Sequence, residues 1–171
     1  MRISPATADD DIALEQLINS AYRGESGKRG WTTETDLLDG TRTDAELIRR
    51  IISDSNSLLL KAVDNEGILG CVELRQEGDK LYLGMLTVRP DLQGRGIGKA
   101  LMLEAESEAA RRNCKAIFMT VLAPRTELIA WYVRQGYQDT GKRKPFAFTD
   151  PRFGTPKTAL EFAVLEKEIL L

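Results

Sequence analysis

Three glycines precede a helix-like run between Val88 and Ala100, and this combination is suited to binding an anion. They stand at alternate positions, Gly94, Gly96 and Gly98, directly after a strand-like run. Glycine adopts positive φ and has no side chain, so successive backbone N–H groups can converge on one anion. The helix that follows adds the positive end of its dipole and its unpaired N–H donors. The segment therefore predicts a site for a phosphate-bearing ligand.

Two common nucleotide-binding loops do not match this segment. A Walker A loop requires glycine where the chain has Gln93, and Ser or Thr where it has Ala100. The dinucleotide fingerprint G-x-G-x-x-G, begun at Gly94, requires glycine where the chain has Lys99. The phosphates are therefore expected to be bound by a loop of another kind.

The chain contains no histidine, and its two cysteines stand alone. Nucleophilic machinery of the Ser-His-Asp or Cys-His kind is therefore excluded. Cys71 and Cys114 lack the paired spacing of a zinc site and fall in apolar surroundings, so we expect buried free thiols and no metal. Acid–base steps must then use Glu, Asp, Tyr, Lys, water or backbone groups.

The glycine loop resembles a signature of the GNAT superfamily of acyl-CoA-dependent N-acyltransferases. Residues Gln93–Gly98 read QGRGIG, which is similar to the family's Q/R-x-x-G-x-G/A. Upstream, Leu86–Pro90 is similar to the strand end that precedes this loop in the family. Downstream, Ala130–Tyr137 is similar to the family's A-x-x-Y-x-x-x-G-F/Y helix end. The three elements have the family's order and spacing, and they cover most of residues 81–137.

The resemblance implies that acetyl-CoA is the cosubstrate and that the loop binds its pyrophosphate. In the family, the pantetheine arm lies like an extra strand between two splayed parallel strands, which here correspond to Leu81–Val88 and Ala116–Leu122. Backbone groups of Leu86 and Val88 would pair with the pantetheine amides and direct a donor at the thioester carbonyl. The residues expected to bind the cofactor are Leu86, Thr87, Val88, Gln93, Gly94, Arg95, Gly96, Ile97, Gly98, Lys99 and Arg125.

Two of the positions near the cofactor have two interpretations each. Many members of the family carry Asn where this chain has Arg125, and that Asn often touches the pantetheine arm. Arg125 is therefore either a cation near the cofactor or an ordinary residue of a first helical turn. Gly84 is either a bulge that splays the strands or a packing glycine.

The resemblance also implies that a primary amine attacks the thioester directly, without a covalent enzyme intermediate. Tyr132 is expected to protonate or hydrogen-bond the departing CoA thiolate; the alternative is a tyrosine that anchors the helix end. Glu73 is expected to act as the general base through water; the alternative is a solvent-facing strand residue. A base is not needed if the amine arrives neutral.

Two long loops, Arg23–Arg42 and Gly141–Thr158, are expected to border the acceptor site. They combine aromatic and acidic residues, which suits an amine that arrives as a cation. The predicted acceptor-binding residues are Trp31, Glu34 and Phe146. The alternative is that the aromatic residues attach the loops to the core. Which small-molecule or peptide amine is the acceptor cannot be read from the sequence.

Other functions are also consistent with the glycine loop. The loop reads phosphates and not the acyl tail, so another short acyl-CoA, such as succinyl- or propionyl-CoA, would suit it. A non-catalytic acyl-CoA-binding or sensor module would keep the loop as well, although the presence of Tyr132 argues against it. A nucleotide-binding regulator is the third alternative.

The elements around these residues predict an α/β fold, a GNAT-like mixed sheet of about six to seven strands with about four helices. Antiparallel strands come first, because Ser57–Val63, Ile68–Arg75 and Leu81–Val88 follow one another with short turns between them. A helix over residues 96–113 then leads to Ala116–Leu122, which predicts a parallel pair with the third strand, and the family resemblance implies that this pair is splayed. Two last strands are expected at residues 137–144 and 159–165.

The chain is expected to form one domain over residues 1–171. Within it, capping boxes predict the starts of the first two helices. The boxes are Thr7-x-x-Asp10 and Thr43-x-x-Glu46. In the first helix, Leu14, Leu17, Ile18, Ala21 and Tyr22 have the spacing of one buried face.

The composition argues against nucleic acid and membrane as partners. The 24 basic and 26 acidic residues give a net charge of −2, which is not typical of a protein that binds phosphate backbones. No apolar run approaches the roughly 18–20 residues that span a bilayer, and the N-terminus lacks the apolar stretch of a signal peptide. We therefore expect a cytoplasmic protein, whose oligomeric state, a homodimer included, stays open.

Overall fold

A seven-stranded mixed sheet lies at the centre of the described chain. The structure is a computed structural model that describes residues 1–22, 38–39, 42–145, 155–156 and 160–170. The strands are β1 (Arg2–Pro5), β2 (Leu38–Asp39), β3 (Ser57–Asp64), β4 (Gly67–Glu77), β5 (Lys80–Val88), β6 (Ala116–Leu122), β7 (Gln138–Pro145), β8 (Thr155–Pro156) and β9 (Glu161–Glu168). The helices are α1 (Asp11–Tyr22), α2 (Ala45–Ser53), α3 (Ile97–Arg111) and α4 (Thr126–Arg134).

The strand order in the sheet is β1-β3-β4-β5-β6-β9-β7, and β2 pairs with β8 apart from it. The antiparallel meander β3–β4–β5 and the parallel pair β5–β6 confirm the predicted fold class. Within the sheet, β9 lies between β6 and β7 and is antiparallel to both. The sequence did not predict this insertion. Both final strands follow the same helix, and neither has a sequence pattern that indicates which strand it pairs with.

Each face of the sheet is covered by one pair of helices. On one face, α1 and α2 bury a cluster that includes Ile18, Ile48 and Leu59. On the other face, α3 and α4 bury a larger cluster that includes Leu81, Leu101, Ile117 and Leu128. The five apolar residues predicted for the inner face of α1 are all buried. The two faces are called the α1–α2 face and the α3–α4 face below.

One predicted helix start is confirmed and the other is wrong. Before α1, the Thr7 backbone N–H donates to Asp10 Oδ2 at 2.8 Å, as the predicted capping box requires. At α2 the N-cap is Asp44 instead of Thr43, and Asp44 Oδ1 accepts from the Leu47 backbone N–H at 2.8 Å. A capping box at Thr43 would need its backbone N–H, which already donates to Asn19 Oδ1 at 3.0 Å.

The parallel pair separates after only three rungs. Residues 80–82 of β5 pair with residues 116–118 of β6, and Tyr82 opposite Phe118 is the last pair. Beyond this rung β5 continues to Val88, while β6 stays paired with β9 as far as Leu122. The splayed pair is therefore present, and it leaves a cleft between β5 and β6.

Among the described residues, every helix is too short or too polar to span a bilayer.

Candidate active site

The glycine loop enters α3 through backbone that glycine alone adopts easily. Gly94 has φ of 88° and Gly96, the N-cap of α3, has φ of 82°. A Cβ added at either position would have no other atom within 4 Å. These two glycines are therefore required by backbone conformation and not by lack of space. Gly98 differs, because its added Cβ would make ordinary contacts, 3.6 Å from Val88 and 3.8 Å from Trp131.

A groove of about 460 Å³ runs between this loop and α4. Its lining includes many of the predicted cofactor-binding residues: Val88, Gln93, Gly94, Gly96, Ile97, Gly98 and Lys99. Four residues of α4 and its C-terminal end complete one wall: Glu127, Trp131, Arg134 and Gln135. The sequence had not singled out Trp131 and Arg134, since the helix motif drew attention only to Tyr132. Lys99 and Arg134 give the groove two cations.

Strand β5 contains a bulge at the position that Gly84 predicted. Thr87 pairs with Cys71 and Gly84 pairs with Glu73, so three steps along β5 face two steps along β4. Within the bulge Met85 has φ of 49°, which is uncommon for a residue with a side chain. Gly84 is also a packing glycine, because an added Cβ would lie 2.7 Å from the Tyr82 hydroxyl. Both interpretations of Gly84 therefore hold.

Side chains hold both carbonyl groups of the bulge. The Tyr22 hydroxyl donates to the Leu86 carbonyl at 2.6 Å, and the Thr87 hydroxyl donates to the Met85 carbonyl at 2.8 Å. Burial raises the pKa of the Cys71 thiol to about 12, so this thiol stays protonated and directs its weak donor at the same Met85 carbonyl, 4.0 Å away. Strained backbone persists only where its surroundings hold it in place. The sequence had assigned Tyr22 to the buried face of α1 alone.

The end of β5 presents backbone groups to the cleft. The Arg89 backbone N–H donates to the Leu69 carbonyl at 2.9 Å, toward β4. Successive backbone groups of a strand point to alternate sides, so the N–H and C=O of Val88 face β6. The Gln93 side chain donates to the Val88 carbonyl at 3.4 Å, which connects the glycine loop to the mouth of the cleft.

Tyr132 lies buried on α4, in the cluster of the α3–α4 face. Its ring makes edge contacts with Trp131 at 5.1 Å and with Tyr137 at 6.0 Å. Burial raises the pKa of Tyr132 well above its ordinary value, and the positive charge of Arg125 acts in the opposite direction. Arg125 is the N-cap of α4. Because its pKa is raised, the Tyr132 hydroxyl keeps its proton at neutral pH and can act as a donor.

Glu73 lies on β4, opposite the start of the bulge, and it is only 7% exposed. The alternative of a solvent-facing strand residue is therefore wrong. Burial raises the pKa of Glu73, while the positive charges of Arg75 and Arg42 oppose this shift. The Arg75 guanidinium lies 3.7 Å from Glu73 Oε2. A buried carboxyl group whose pKa is raised is a candidate general base.

The end of α1 is connected to the residues that precede α2. Asn19 Oδ1 accepts from the Arg42 backbone N–H at 2.7 Å, and the Arg42 guanidinium lies 5.5 Å from the centre of the Tyr22 ring. The charge of Arg42 also reaches Glu73 and Tyr82. The predicted acceptor-binding residues Trp31, Glu34 and Phe146 lie outside the described residues. Arg95 is exposed and is not among the residues that line the groove.

Comparison with known proteins agrees with this fold. Residues 14–137 match the model of the acetyltransferase (GNAT) family. An acetyltransferase of Pectobacterium atrosepticum is 31% identical over 103 residues, which are 60% of this chain and 73% of that protein. The chain therefore belongs to the GNAT family of acetyltransferases.

Solved structures of low sequence identity share the fold. The ribosomal-protein-S18-alanine N-acetyltransferase of Escherichia coli has a TM-score of 0.74 at 16% identity, covering 99% of this chain and 94% of its own. A Thermoplasma acidophilum PaiA N-acetyltransferase in complex with coenzyme A has a TM-score of 0.70 at 20% identity, covering 98% of each chain. YncA of Salmonella typhimurium, a putative acetyltransferase with acetyl-CoA, has a TM-score of 0.72 at 16% identity, covering 100% and 95%.

Proposed function

We propose that this protein transfers an acetyl group from acetyl-CoA to a primary amine of a small molecule or peptide, by direct attack within a ternary complex. The observation that carries this proposal is the continuity of the site. Val88 belongs both to the groove beside the glycine loop and to the cleft between β5 and β6. A phosphate-bearing cofactor with a long arm fits a site of this shape.

The glycine loop supports binding of the CoA pyrophosphate. Backbone N–H groups around Gly94 and Gly96 and at the N-terminus of α3 would donate hydrogen bonds to the phosphates, with Lys99 and Arg134 supplying positive charge. The pantetheine arm would then pass along Val88 into the cleft, as an added strand. Arg125 would act at a distance, by its effect on Tyr132 and not as a wall of the groove.

The chemistry follows from three groups around the cleft. The amine nitrogen bonds to the thioester carbon, and a backbone N–H that the β5 bulge directs into the cleft stabilises the oxyanion. The carbon–sulfur bond then breaks, and the departing thiolate takes a hydrogen bond from Tyr132, or a proton that Tyr132 regains from solvent. The ammonium proton passes to Glu73, directly or through water, and then to solvent. Much of the rate enhancement comes from the positioning of the two bound substrates.

The test is turnover of acetyl-CoA with panels of polyamines, amino acids and short peptides. Release of free CoA thiol should depend on the amine, and mass spectrometry should find the N-acetyl product. If the protein binds CoA and no amine is acetylated, the sensor alternative replaces the enzyme. If another short acyl-CoA is turned over faster, the donor assignment is wrong.

A further inference from the structure

We infer that Tyr82 closes the cleft between β5 and β6 and restricts the acyl group to acetyl, an inference that rests on the proposed function. Tyr82 and Phe118 form the last rung of the parallel pair. The strands separate beyond this rung, so Tyr82 stands at the closed end of the cleft. The glycine-loop groove lies at the opposite, open end, where β5 finishes at Val88.

The Tyr82 side chain lies on the same face of the sheet as Glu73. Arg75 pairs with Tyr82 and Glu73 pairs with Gly84, and directly opposed residues on antiparallel strands share a face. Glu73 in turn pairs with Leu59, which packs under α1 and α2. The closed end of the cleft therefore carries a tyrosine beside the candidate general base.

The Tyr82 ring is directed along β5 toward the bulge. A Cβ added at Gly84 would lie 2.7 Å from the Tyr82 hydroxyl and 2.9 Å from Cζ. The ring thus covers the backbone of Gly84, two residues nearer to the open end of the cleft than Tyr82 itself. Because Gly84 has no side chain, the ring can lie this close to the strand. It occupies space at the end of the path that a cofactor arm would follow from Val88.

The Tyr82 ring is held by side chains on β4 and β6, the two strands that flank β5. The Arg75 guanidinium lies 4.6 Å from its centre, and the Phe118 ring on β6 lies 5.5 Å away at an interplanar angle of 52°. Burial raises the pKa of the Tyr82 hydroxyl, and the Thr120 side chain, also on β6, acts in the opposite direction. A ring held in this way is a fixed wall and not a movable side chain.

An acyl group is the last part of the cofactor to enter such a cleft. Its terminal carbons point away from the pyrophosphate, toward the closed end, so each added methylene approaches the Tyr82 ring. Rejection of one extra methylene by a fixed wall typically changes affinity or rate by about tenfold or more. Acetyl-CoA should therefore bind more tightly than butyryl-CoA and hexanoyl-CoA.

The test measures the dissociation constants of acetyl-, propionyl-, butyryl- and hexanoyl-CoA by calorimetry, which needs no knowledge of the amine. The wild-type protein should bind butyryl- and hexanoyl-CoA at least about tenfold more weakly than acetyl-CoA. Tyr82→Ala should remove most of this difference. Tyr82→Phe should keep it, because the ring and not the hydroxyl forms the wall. Tyr82→Leu serves if the alanine variant does not fold.

A matched control lies one residue along the same strand. Leu83 belongs to the α3–α4 face, so Leu83→Val loosens the core without reaching the wall and should leave the acyl-chain ratio unchanged. The inference is overturned if wild-type protein binds hexanoyl-CoA as tightly as acetyl-CoA, or if Tyr82→Ala keeps the wild-type ratio. Failure of CoA itself to bind would instead overturn the proposed function.

Discussion

The glycine loop and the β5 bulge both present backbone groups to the candidate site, and both contain residues with positive φ. In the loop those residues are Gly94 and Gly96, which adopt this conformation without strain. In the bulge the residue is Met85, for which positive φ is strained. Hydrogen bonds from Thr87 and Tyr22 hold the Met85 and Leu86 carbonyl groups, which flank the Leu86 N–H. The loop is therefore specified by local sequence, whereas the bulge depends on partners distant in the chain.

Tyr132 is proposed to act through its side chain, unlike the glycine loop and the bulge, which act through backbone groups. Loss of its hydroxyl should have the largest effect on activity. Tyr132→Phe keeps the ring contacts with Trp131 and Tyr137 but loses the donor to the thiolate. We expect kcat to fall by on the order of 10²-fold, with the KM for acetyl-CoA nearly unchanged. Steady-state kinetics with any accepted amine would show this. A kcat within twofold of wild type would make Tyr132 a structural residue.

Gly96→Val tests whether the loop acts through its backbone. The branched side chain disfavours φ of 82°, so the N–H groups should no longer converge and CoA should bind at least about tenfold more weakly by calorimetry. Gly78 in the β4–β5 turn, with φ of 61° and open space around it, is the matched control. Gly78→Val should cost a similar amount of stability, about 1–2 kcal/mol, and leave CoA affinity unchanged. Equal affinities for the two variants would contradict the assignment.

Tyr22→Phe tests the corresponding role of the bulge. Loss of the 2.6 Å hydrogen bond to the Leu86 carbonyl should let the bulge relax and lower kcat by about tenfold, because small displacements of a catalytic donor are costly. The affinity for CoA should stay within about twofold, since the loop is untouched. Tyr137→Phe is the matched control, because its buried hydroxyl has no hydrogen-bond partner among the described residues. A fall in CoA affinity equal to the fall in kcat would show that Tyr22 supports the fold and not the donor.

Glu73→Gln should have opposite effects on activity and stability. As the general base Glu73 must be ionised, so kcat/KM should rise with pH through a pKa above the ordinary glutamate value, and the variant should lose this dependence. Because the folded-state pKa is raised, the folded state binds more protons than the unfolded one, and stability falls as pH rises from the unfolded to the folded value. The variant should therefore melt slightly higher at neutral pH. An unchanged pH profile would exclude Glu73 as the base.

The contrast between loop and bulge also explains what the sequence could predict. The meander and the buried face of α1 depend on short stretches of sequence, and both predictions are confirmed. The parallel pair predicted from the strand–helix–strand order is confirmed as well, whereas CoA binding by the glycine loop stays a prediction. The N-cap at Asp44, the Tyr22 hydrogen bond and the place of β9 depend on contacts between distant segments. The contact of Trp131 with the groove could have been anticipated, since it adjoins Tyr132 in the helix. The roles of Trp31, Glu34 and Phe146 stay predictions.

The position of β9 has a consequence for how the protein is made. Strand β6 forms one wall of the cleft, but it shares only three rungs with β5 and is paired along its whole length with β9. Residues 161–168 are synthesised after β6, so during translation the edge of β6 that pairs with β9 has no partner strand. An unpaired apolar strand of this kind invites pairing with other chains. We expect the nascent chain to need protection at Ala116–Leu122 until β9 arrives, and CoA to stabilise the protein only after that strand has been inserted.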